Sequence, residues 1–205
     1  SLDIVDNSME TVNLNLSDSE STSLDVTSTQ NVAFAHGVAA NMVTNAGPTV
    51  SLVAGVAFPT QPQVTIIDQY GYTVTTGPGS ILVVTAARGT GTGTLSGTVT
   101  ETAVAGVANF AGNGLFIDLA GSKDLTYSAP GIPSGLSATF SIIAGTATKL
   151  VVITQPSSVS EPAIAFAQQP RVAIQDVFGN TTINTNTVIM AKKPVLETSH
   201  LRQLP

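Results

Sequence analysis

The 205-residue chain contains no cysteine and no tryptophan, and only 10% of its residues are charged. Without cysteine there is no disulfide, and no thiolate can act as a nucleophile or metal ligand, so packed cores alone must hold the fold. The net charge of −6 argues against nucleic acid as a partner, because nucleic-acid binding requires a basic face. Aromatic residues make up only 5%, so stacking surfaces for bases or sugars are scarce.

Long apolar runs are also missing. The run Ile81–Val84 is strand-sized, well short of the roughly 18 residues that a membrane-crossing helix needs. We therefore expect no membrane span in this segment. The chain also opens without an initiator methionine or a signal-peptide pattern, and we interpret it as a fragment of a longer protein.

Val, Ile, Thr, Ala, Ser and Gly dominate what is present. The β-branched residues fit a pleated surface, and the glycines and serines favour turns. Apolar and polar residues alternate along Val12–Leu16, as they do in a half-buried strand. The composition therefore predicts an all-β chain.

The most informative feature is a phrase that occurs twice, PQVTIIDQYG at 62–71 and PRVAIQDVFG at 170–179. Asp68 and Asp176 are 108 positions apart (176 − 68 = 108), and the same offset pairs Gly37 with Gly145. A fixed period marks an array of similar units, and this one matches a small domain of roughly 100–150 residues.

We interpret Asp68 and Asp176 as turn formers at the end of this phrase. Aspartate can bond to nearby backbone groups, and the glycine three residues later can adopt a positive φ. Val64 and Ile66 are predicted to face the core from the preceding strand.

The offset predicts four segments. Residues 1–36 are the C-terminal part of a preceding repeat, 37–146 form a complete repeat, 147–190 are the N-terminal half of a following repeat, and 191–205 are an anomalous or disordered tail. The complete repeat is expected to hold seven or eight short strands, which favours a β-sandwich. Strands are predicted at 41–44, 51–54, 64–68, 81–86, 94–100, 115–117, 125–127 and 139–142, with a hairpin over 102–110 and a further strand at 188–190.

Several stretches carry a family resemblance: Ala147–Leu150, Gln61–Gly71, Gly93–Gly97 and Ala103–Phe110. They resemble the turn and strand signatures of bacterial Ig-like repeats of the invasin/intimin type, which build large surface adhesins. The resemblance covers 37–146 fully and the flanks in part. It implies an Ig-like β-sandwich, one complete domain flanked by two partial repeats. The chain departs from the family at Lys123, where an aromatic residue is common.

We assign no catalytic and no cofactor-binding residue. Ile81–Gly93 places a Gly-rich loop after a strand, but a dinucleotide site needs a helix after the glycines, and here a strand sequence follows. A flexible inter-strand loop is predicted instead. His36 and His200 lie in different segments, and no Gly-x-Ser-x-Gly elbow is present. We therefore expect that the chain is not an enzyme.

Clustered acidic residues are candidate ligands for calcium. Asp18, Glu20 and Asp25 cluster in one turn region, and Asp118 and Asp124 flank another. Calcium takes about six to eight oxygen ligands, and no EF-hand pattern occurs. We assign no metal ligand and no cofactor, with calcium at a junction between repeats as the alternative.

The expected function is a non-enzymatic structural or stalk segment of a large bacterial secreted or cell-surface adhesin-like protein. Its partners are neighbouring repeats of the same chain, and the number of repeats sets its reach. One alternative is a module that binds glycan or host protein through loops such as Arg88–Gly93 and Pro130–Gly135. Another is an accessory domain of a secreted polysaccharide-active enzyme.

Overall fold

The computed structural model describes residues 4–14, 29–49, 52–183 and 188–191. In these ranges the chain forms several small sheets, no α-helix and a single 3-10 turn, Pro78–Ile81. The all-β prediction is confirmed. No helix in the described ranges is long and apolar enough to cross a membrane. The tail from residue 192 onward lies outside the described residues, as do the last two residues of the alternating stretch Val12–Leu16.

The described residues contain sixteen short strands: β1 (Thr11–Leu14), β2 (Gln30–Ala33), β3 (Asn41–Ala46), β4 (Leu52–Val53), β5 (Gln63–Ile67), β6 (Val83–Arg88), β7 (Leu95–Ser96), β8 (Thr100–Thr102), β9 (Val107–Asn109), β10 (Phe116–Ile117), β11 (Gly121–Lys123), β12 (Leu125–Ala129), β13 (Ile132–Leu136), β14 (Phe140–Ile143), β15 (Lys149–Thr154) and β16 (Arg171–Gln175).

Twelve of these strands, β3 to β14, lie in the segment 37–146. They form a four-stranded sheet in the order β13-β12-β6-β8, two three-stranded sheets, β3-β5-β9 and β11-β14-β4, and the pair β10-β7. The pairings are antiparallel except that of β14 with β4, which is parallel. Strands β1 and β2 form one separate antiparallel pair, and β15 and β16 form another.

A single hydrophobic core lies among the sheets of 37–146. Val64 and Ile66 are fully buried on β5, as their spacing predicted. The rings of Phe58 and Phe140 meet edge to face with centroids 5.6 Å apart, a geometry that aromatic pairs favour. The other buried core residues are Met42, Leu52, Ala54, Val74, Val84, Ala86, Ala103, Ala108, Phe110, Leu115, Ile117, Leu125, Tyr127 and Ile142.

The hairpin of β15 and β16 reproduces that of β3 and β5 at the 108-residue offset. Val43 pairs with Thr65, and Val151 pairs with Ala173. Each pairing also has a register irregularity at the same place, between Thr44 and Ala46 in one and between Val152 and Thr154 in the other. The two segments therefore share a local structure as well as a phrase.

Burial differs between the two hairpins. Phe58 is 3% exposed, whereas its counterpart Phe166 is 45% exposed. Met42 is likewise buried, and its counterpart Leu150 is largely exposed. The two hairpins therefore share their strand pairing but differ in the burial of equivalent side chains. The divisions of the chain at 36/37, 146/147 and 190/191 remain predictions.

Some strand boundaries differ from expectation. The single edge strand predicted over 94–100 is broken into β7 and β8, because Gly97 has a φ of 102° and its backbone lies against the Gly114 carbonyl. The strand predicted at 188–190 is absent from the described residues there. Its counterparts at the offset, Ile81 and Leu82, fall at the end of the 3-10 turn and ahead of β6.

The strand β13 was not predicted. Pro133 and Gly135 gave the segment Pro130–Gly135 the composition of a loop. The strand forms because it lies at the edge of its sheet, where a proline lacking an N–H group is tolerated. Of the hairpin predicted over 102–110, the turn is present, with Ala105 and Gly106 both at positive φ and Val104 bridged to Val107. Its two arms join different sheets, because β8 pairs with β6 and β9 pairs with β5.

Candidate functional site

The turn after β5 is organised by a buried carboxylate. Asp68 is only 1% exposed. Its Oδ1 accepts the backbone N–H groups of Tyr70 and Tyr72, each at 2.9 Å. Its Oδ2 accepts the N–H of Gly37 at 2.7 Å, from a residue 31 positions earlier in the chain. Asp68 therefore forms the turn, as predicted, and also holds the backbone ahead of β3 against the end of β5.

The same arrangement recurs after β16. Asp176 is equally buried, and its Oδ1 accepts the N–H groups of Phe178 and Asn180 at 3.0 and 2.9 Å. Its Oδ2 accepts the N–H of Gly145 at 2.8 Å, again over 31 positions, and the side-chain amide of Asn180 at 2.8 Å. A carboxylate has about four acceptor sites, so Asp176 uses all of them within the protein.

The two carboxylates remain charged in this setting. Burial alone would raise the pKa of Asp68, but the N–H donors of Gly37, Tyr72 and Tyr70 together hold it below its usual value. Burial opposes ionisation of Asp176 as well, and its donors, led by the Asn180 side chain, bring its pKa below the ordinary value too. Hydrogen bonds to the charged form are the physical cause in both cases.

The second turn also contacts the segment 37–146. Asn180 Nδ2 donates to the carbonyl of Asp118 at 2.8 Å, and Asn180 Oδ1 accepts the N–H of Ala120 at 2.8 Å. Phe178 packs directly over Gly55, where a Cβ would lie 2.1 Å from a ring carbon. Both side chains of the turn thus reach across the junction at Gly145.

Lys123, the residue that departs from the family pattern, lies inside the protein. It is 1% exposed on β11, and its Nζ donates to the Ala120 carbonyl at 3.1 Å. Burial lowers the pKa of Lys123, the nearby Arg88 lowers it further, and Asp118 opposes the shift. The alkyl stem of this lysine is packed inside the protein while its ammonium group bonds to a carbonyl.

The Gly-rich loop after β6 is held by side chains on both flanks. Arg88 donates to the carbonyls of Gly89, Gly91 and Gly93. Asp124 accepts the N–H and hydroxyl of Thr90 at 2.8 and 2.7 Å. The flexible loop that the sequence predicted is therefore pinned by hydrogen bonds.

The acidic residues considered for calcium serve this loop. Asp118 Oδ1 accepts the N–H of Thr94 at 2.7 Å, on the side of the loop opposite Asp124. Throughout 4–14, 29–49, 52–183 and 188–191, no three His, Asp or Glu side chains come together as a metal site. Asp18, Glu20 and Asp25 lie outside the described residues, as does His200.

A largely apolar groove of about 630 Å³ lies at the end of the complete repeat that begins at Gly37. Its lining includes Val38, Pro78, Pro130 and Ile132. His36 lies at its rim, where Nε2 accepts the N–H of Thr76 at 3.1 Å, so Nδ1 carries the proton and donates to the Gly37 carbonyl at 2.8 Å. His36 therefore connects two segments through its ring nitrogens, and its Nε2 also lies 2.9 Å from the hydroxyl of Thr76.

No family model matches the chain, and no curated protein matches it. Among solved structures, the chain is similar to part of a glycosyl hydrolase family 2 member from Bacteroides cellulosilyticus. The match covers 56% of this chain and 15% of that chain, with 14% identity and a TM-score of 0.39. This chain thus spans only a small part of that protein's length.

The sequence indicated the turns but not what they bind. The signal was available in the spacing, because Gly37 with Asp68 and Gly145 with Asp176 repeat the same interval of 31 residues. The contact of Asn180 with Asp118 and Ala120 had no such signal. The segment Pro130–Gly135, expected to be a loop, is a turn that leads into β13, because Ile132 onward pairs with β12. Its expected binding role stays a prediction.

Proposed function

We propose that this chain is a non-enzymatic structural segment of a bacterial secreted or cell-surface protein, built from tandem Ig-like repeats of the invasin/intimin type. Each repeat is an Ig-like β-sandwich with its own core. Its task is to hold what lies at its two ends apart, so that the number of repeats sets the reach of the protein. Its immediate partners are the neighbouring repeats.

One observation carries this proposal. The hydrogen bond from Gly37 to Asp68 and that from Gly145 to Asp176 place a buried carboxylate on the first residues of two successive units. A carboxylate that accepts three or four N–H bonds has little capacity left for a metal or a substrate. It fixes the chain where one unit passes into the next, which is what an extended array requires.

The way the core is distributed agrees with this role. The complete repeat buries its apolar residues within 37–146, including Val64, Ile66, Phe110 and Tyr127. A unit that buries its own core can be repeated along a chain without needing a distant partner. The absence of cysteine means that the unit does not depend on oxidation for its stability.

Single-molecule force measurement on the full chain, held by handles at its two ends, tests the proposal. The complete repeat should resist extension and then unfold in one step. That step should release roughly 370 Å of contour length, less its folded span, from the extended length of its residues. Gradual extension without a discrete step would contradict the proposal that the repeat resists mechanical tension. The variant Phe110→Ala serves as a comparison, because loss of core packing should lower the unfolding force.

A second candidate function is supported by the groove at the Gly37 end. Concave, mostly apolar sites with few polar groups are typical of ligand binding, and Pro130 and Ile132 of one predicted binding loop line it. As a binding module for glycan or protein, the chain should show ligand-dependent NMR shifts at Thr76, Gly131 and Ile132. Titration with soluble glycans and peptides that leaves these amide signals unmoved would remove this candidate.

A further inference from the structure

The turns at the Gly145 and Gly37 junctions share three features and differ in the chemistry of their last position. The first turn reads Asp68-Gln69-Tyr70-Gly71-Tyr72, and the second reads Asp176-Val177-Phe178-Gly179-Asn180. Both have aspartate, then an aromatic residue two positions later and glycine three positions later. The fourth position after the aspartate is Tyr72 in one and Asn180 in the other.

Asn180 is suited to fix two units against each other. Its side chain is buried, 8% exposed, and both the oxygen and the nitrogen of its amide form hydrogen bonds. The oxygen accepts from Ala120 N, and the nitrogen donates to the Asp118 carbonyl and to Asp176 Oδ2. Breaking one of these bonds would leave a buried polar group unpaired, which disfavours rotation at the junction.

The accepting surface on the preceding repeat is mainly backbone. It consists of the Asp118 carbonyl and the Ala120 N–H, in the segment between β10 and β11, and of Gly55 under the ring of Phe178. Gly55 has a φ of 75° and leaves room that any side chain would fill. The connecting segment is short, and its ends are tied by Ala54 N to the Ile143 carbonyl and by Thr148 N to the Gln175 carbonyl.

The first junction is packed less closely. Tyr70 and Tyr72 face residues 6–9 and Ala35 across a cavity of about 80 Å³. A water molecule occupies about 30 Å³ of liquid, so this space exceeds that of one water. Tyr70 itself is 54% exposed. A tyrosine at the fourth position donates and accepts at one hydroxyl oxygen, with one proton to donate, whereas the asparagine amide accepts at its oxygen and donates two protons from its nitrogen.

We propose that the surface formed by Gly55, Asp118 and Ala120 is a docking site for a following repeat whose turn carries an aromatic residue two positions, and an asparagine four positions, after its aspartate. Asn180 is the residue that fixes the angle between the two units. A turn with tyrosine at the fourth position makes a joint that bends. The inference rests on the proposed function only for the biological use of the joint, since a fixed angle between units helps a structural segment to keep its two ends apart.

Pulsed electron spin resonance on the full chain tests the proposal. The chain has no cysteine, so Ser134→Cys and Ser158→Cys provide two unique label sites on exposed residues of the two units. Relative motion is the default for domains joined by a small interface. We expect instead one narrow distance distribution for the parent chain. The width of this distribution should increase at least about twofold in Asn180→Tyr and Asn180→Ala, because the two units then move relative to each other as weakly joined domains do.

Variants on the other side of the junction separate docking from local folding. Gly55→Ala places a methyl group against Phe178 and should broaden the distribution without altering the β15–β16 hairpin. Gly131→Ala is the matched control, because Gly131 has nearly the same φ of 79° but open space around it. NMR signals of Val152 and Ala173 report whether the hairpin is intact.

A broad distribution in the parent chain overturns the proposal, as does an unchanged width in both Asn180→Tyr and Gly55→Ala. Equal broadening by Gly131→Ala also overturns it, because backbone strain alone would then explain the effect. These results would leave the proposed structural role standing, because a bending array still spans a distance. Failure of the force measurement would instead remove that role and leave the joint geometry unaffected.

Discussion

Replacing Tyr127 by phenylalanine should stabilise the protein, although most substitutions of buried tyrosine destabilise. Tyr127 lies on β12 with no exposed surface, and its ring contacts that of Phe110 with centroids 6.3 Å apart. Its hydroxyl oxygen is buried without a hydrogen-bond partner among the described residues. Folding therefore removes this hydroxyl from water without replacing its hydrogen bonds to water by a hydrogen bond within the described residues.

The magnitude follows from that geometry. An unpaired buried hydroxyl costs about 1–3 kcal/mol by protein mutational data. Phenylalanine keeps the ring and its contacts, and the void left by the oxygen, about 10–15 Å³, costs about 0.3 kcal/mol at ~24 cal/mol per Å³. The free energy of unfolding should rise by about 1–2 kcal/mol, or roughly 4 °C in Tm per kcal/mol for a unit of this size.

Urea and thermal unfolding, followed by circular dichroism, measure this difference. Tyr70→Phe is the control, because Tyr70 is more than half exposed and surface changes usually stay within about 0.5 kcal/mol. A Tyr127→Phe variant less stable than the parent by about 1 kcal/mol, the usual worth of a hydrogen bond, would refute the reasoning, because it would mean that the hydroxyl is bonded.

The pH dependence adds a second readout. Burial raises the pKa of Tyr127 above its ordinary value. Between about 10, the unfolded pKa, and the higher folded value, the unfolded chain loses a proton that the folded chain keeps, so stability falls as pH rises. Phenylalanine removes this loss. The advantage of Tyr127→Phe should therefore widen above pH 10, and a constant difference would count against a dry hydroxyl.

Three further predictions concern other buried groups. Phe110→Ala should lower the free energy of unfolding by about 3–5 kcal/mol in urea titrations, whereas the exposed Val104→Ala should change it by less than about 0.5 kcal/mol. The pKa values of Asp68 and Asp176 lie below normal, so the turns are intact above the unfolded pKa of about 3.9 and are lost as pH falls through the lowered folded values. The NMR shifts of the Gly37 and Gly145 amides should report the protonation of Asp68 and Asp176, respectively. Titration midpoints at or above pH 3.9 would contradict the prediction that both pKa values are lowered. Lys123→Met should raise Tm at pH 7, since it removes a buried ammonium. Because burial lowers the pKa of Lys123, the stability of the parent should rise as the pH approaches the ordinary lysine pKa of about 10.4. A difference in Tm between variant and parent that does not narrow by that pH would contradict the explanation.

Local features of the fold were predictable from the sequence. Alternation on β5 indicated that Val64 and Ile66 face inward, and the Asp-x-x-Gly spacing indicated a turn at Asp68. Both depend on residues adjacent in sequence, where propensity and pattern act directly. The edge strand β13 was missed because its proline and glycine are tolerated only by virtue of its place in the sheet.

Features that depend on distant residues were not predictable in the same way. The burial of Lys123 contradicts what its charge suggests, and it arises because β11 pairs with β14 on one side while the Gly91 loop covers the other. The contacts of Asn180 join residues about 60 positions apart. No local pattern encodes such a pair, because an exposed asparagine in a turn has the same sequence signature.

The bonds of Asn180 to the backbone of Asp118 and Ala120 have a consequence for how such a protein changes over generations. Backbone atoms are the same whatever side chains the accepting loop carries. The loop can therefore accumulate substitutions without losing its fit, provided that its path is kept. In the array that we propose, a duplicated unit that keeps this loop path and an asparagine in its turn would need no new interface, so the length of the protein could change in a single event.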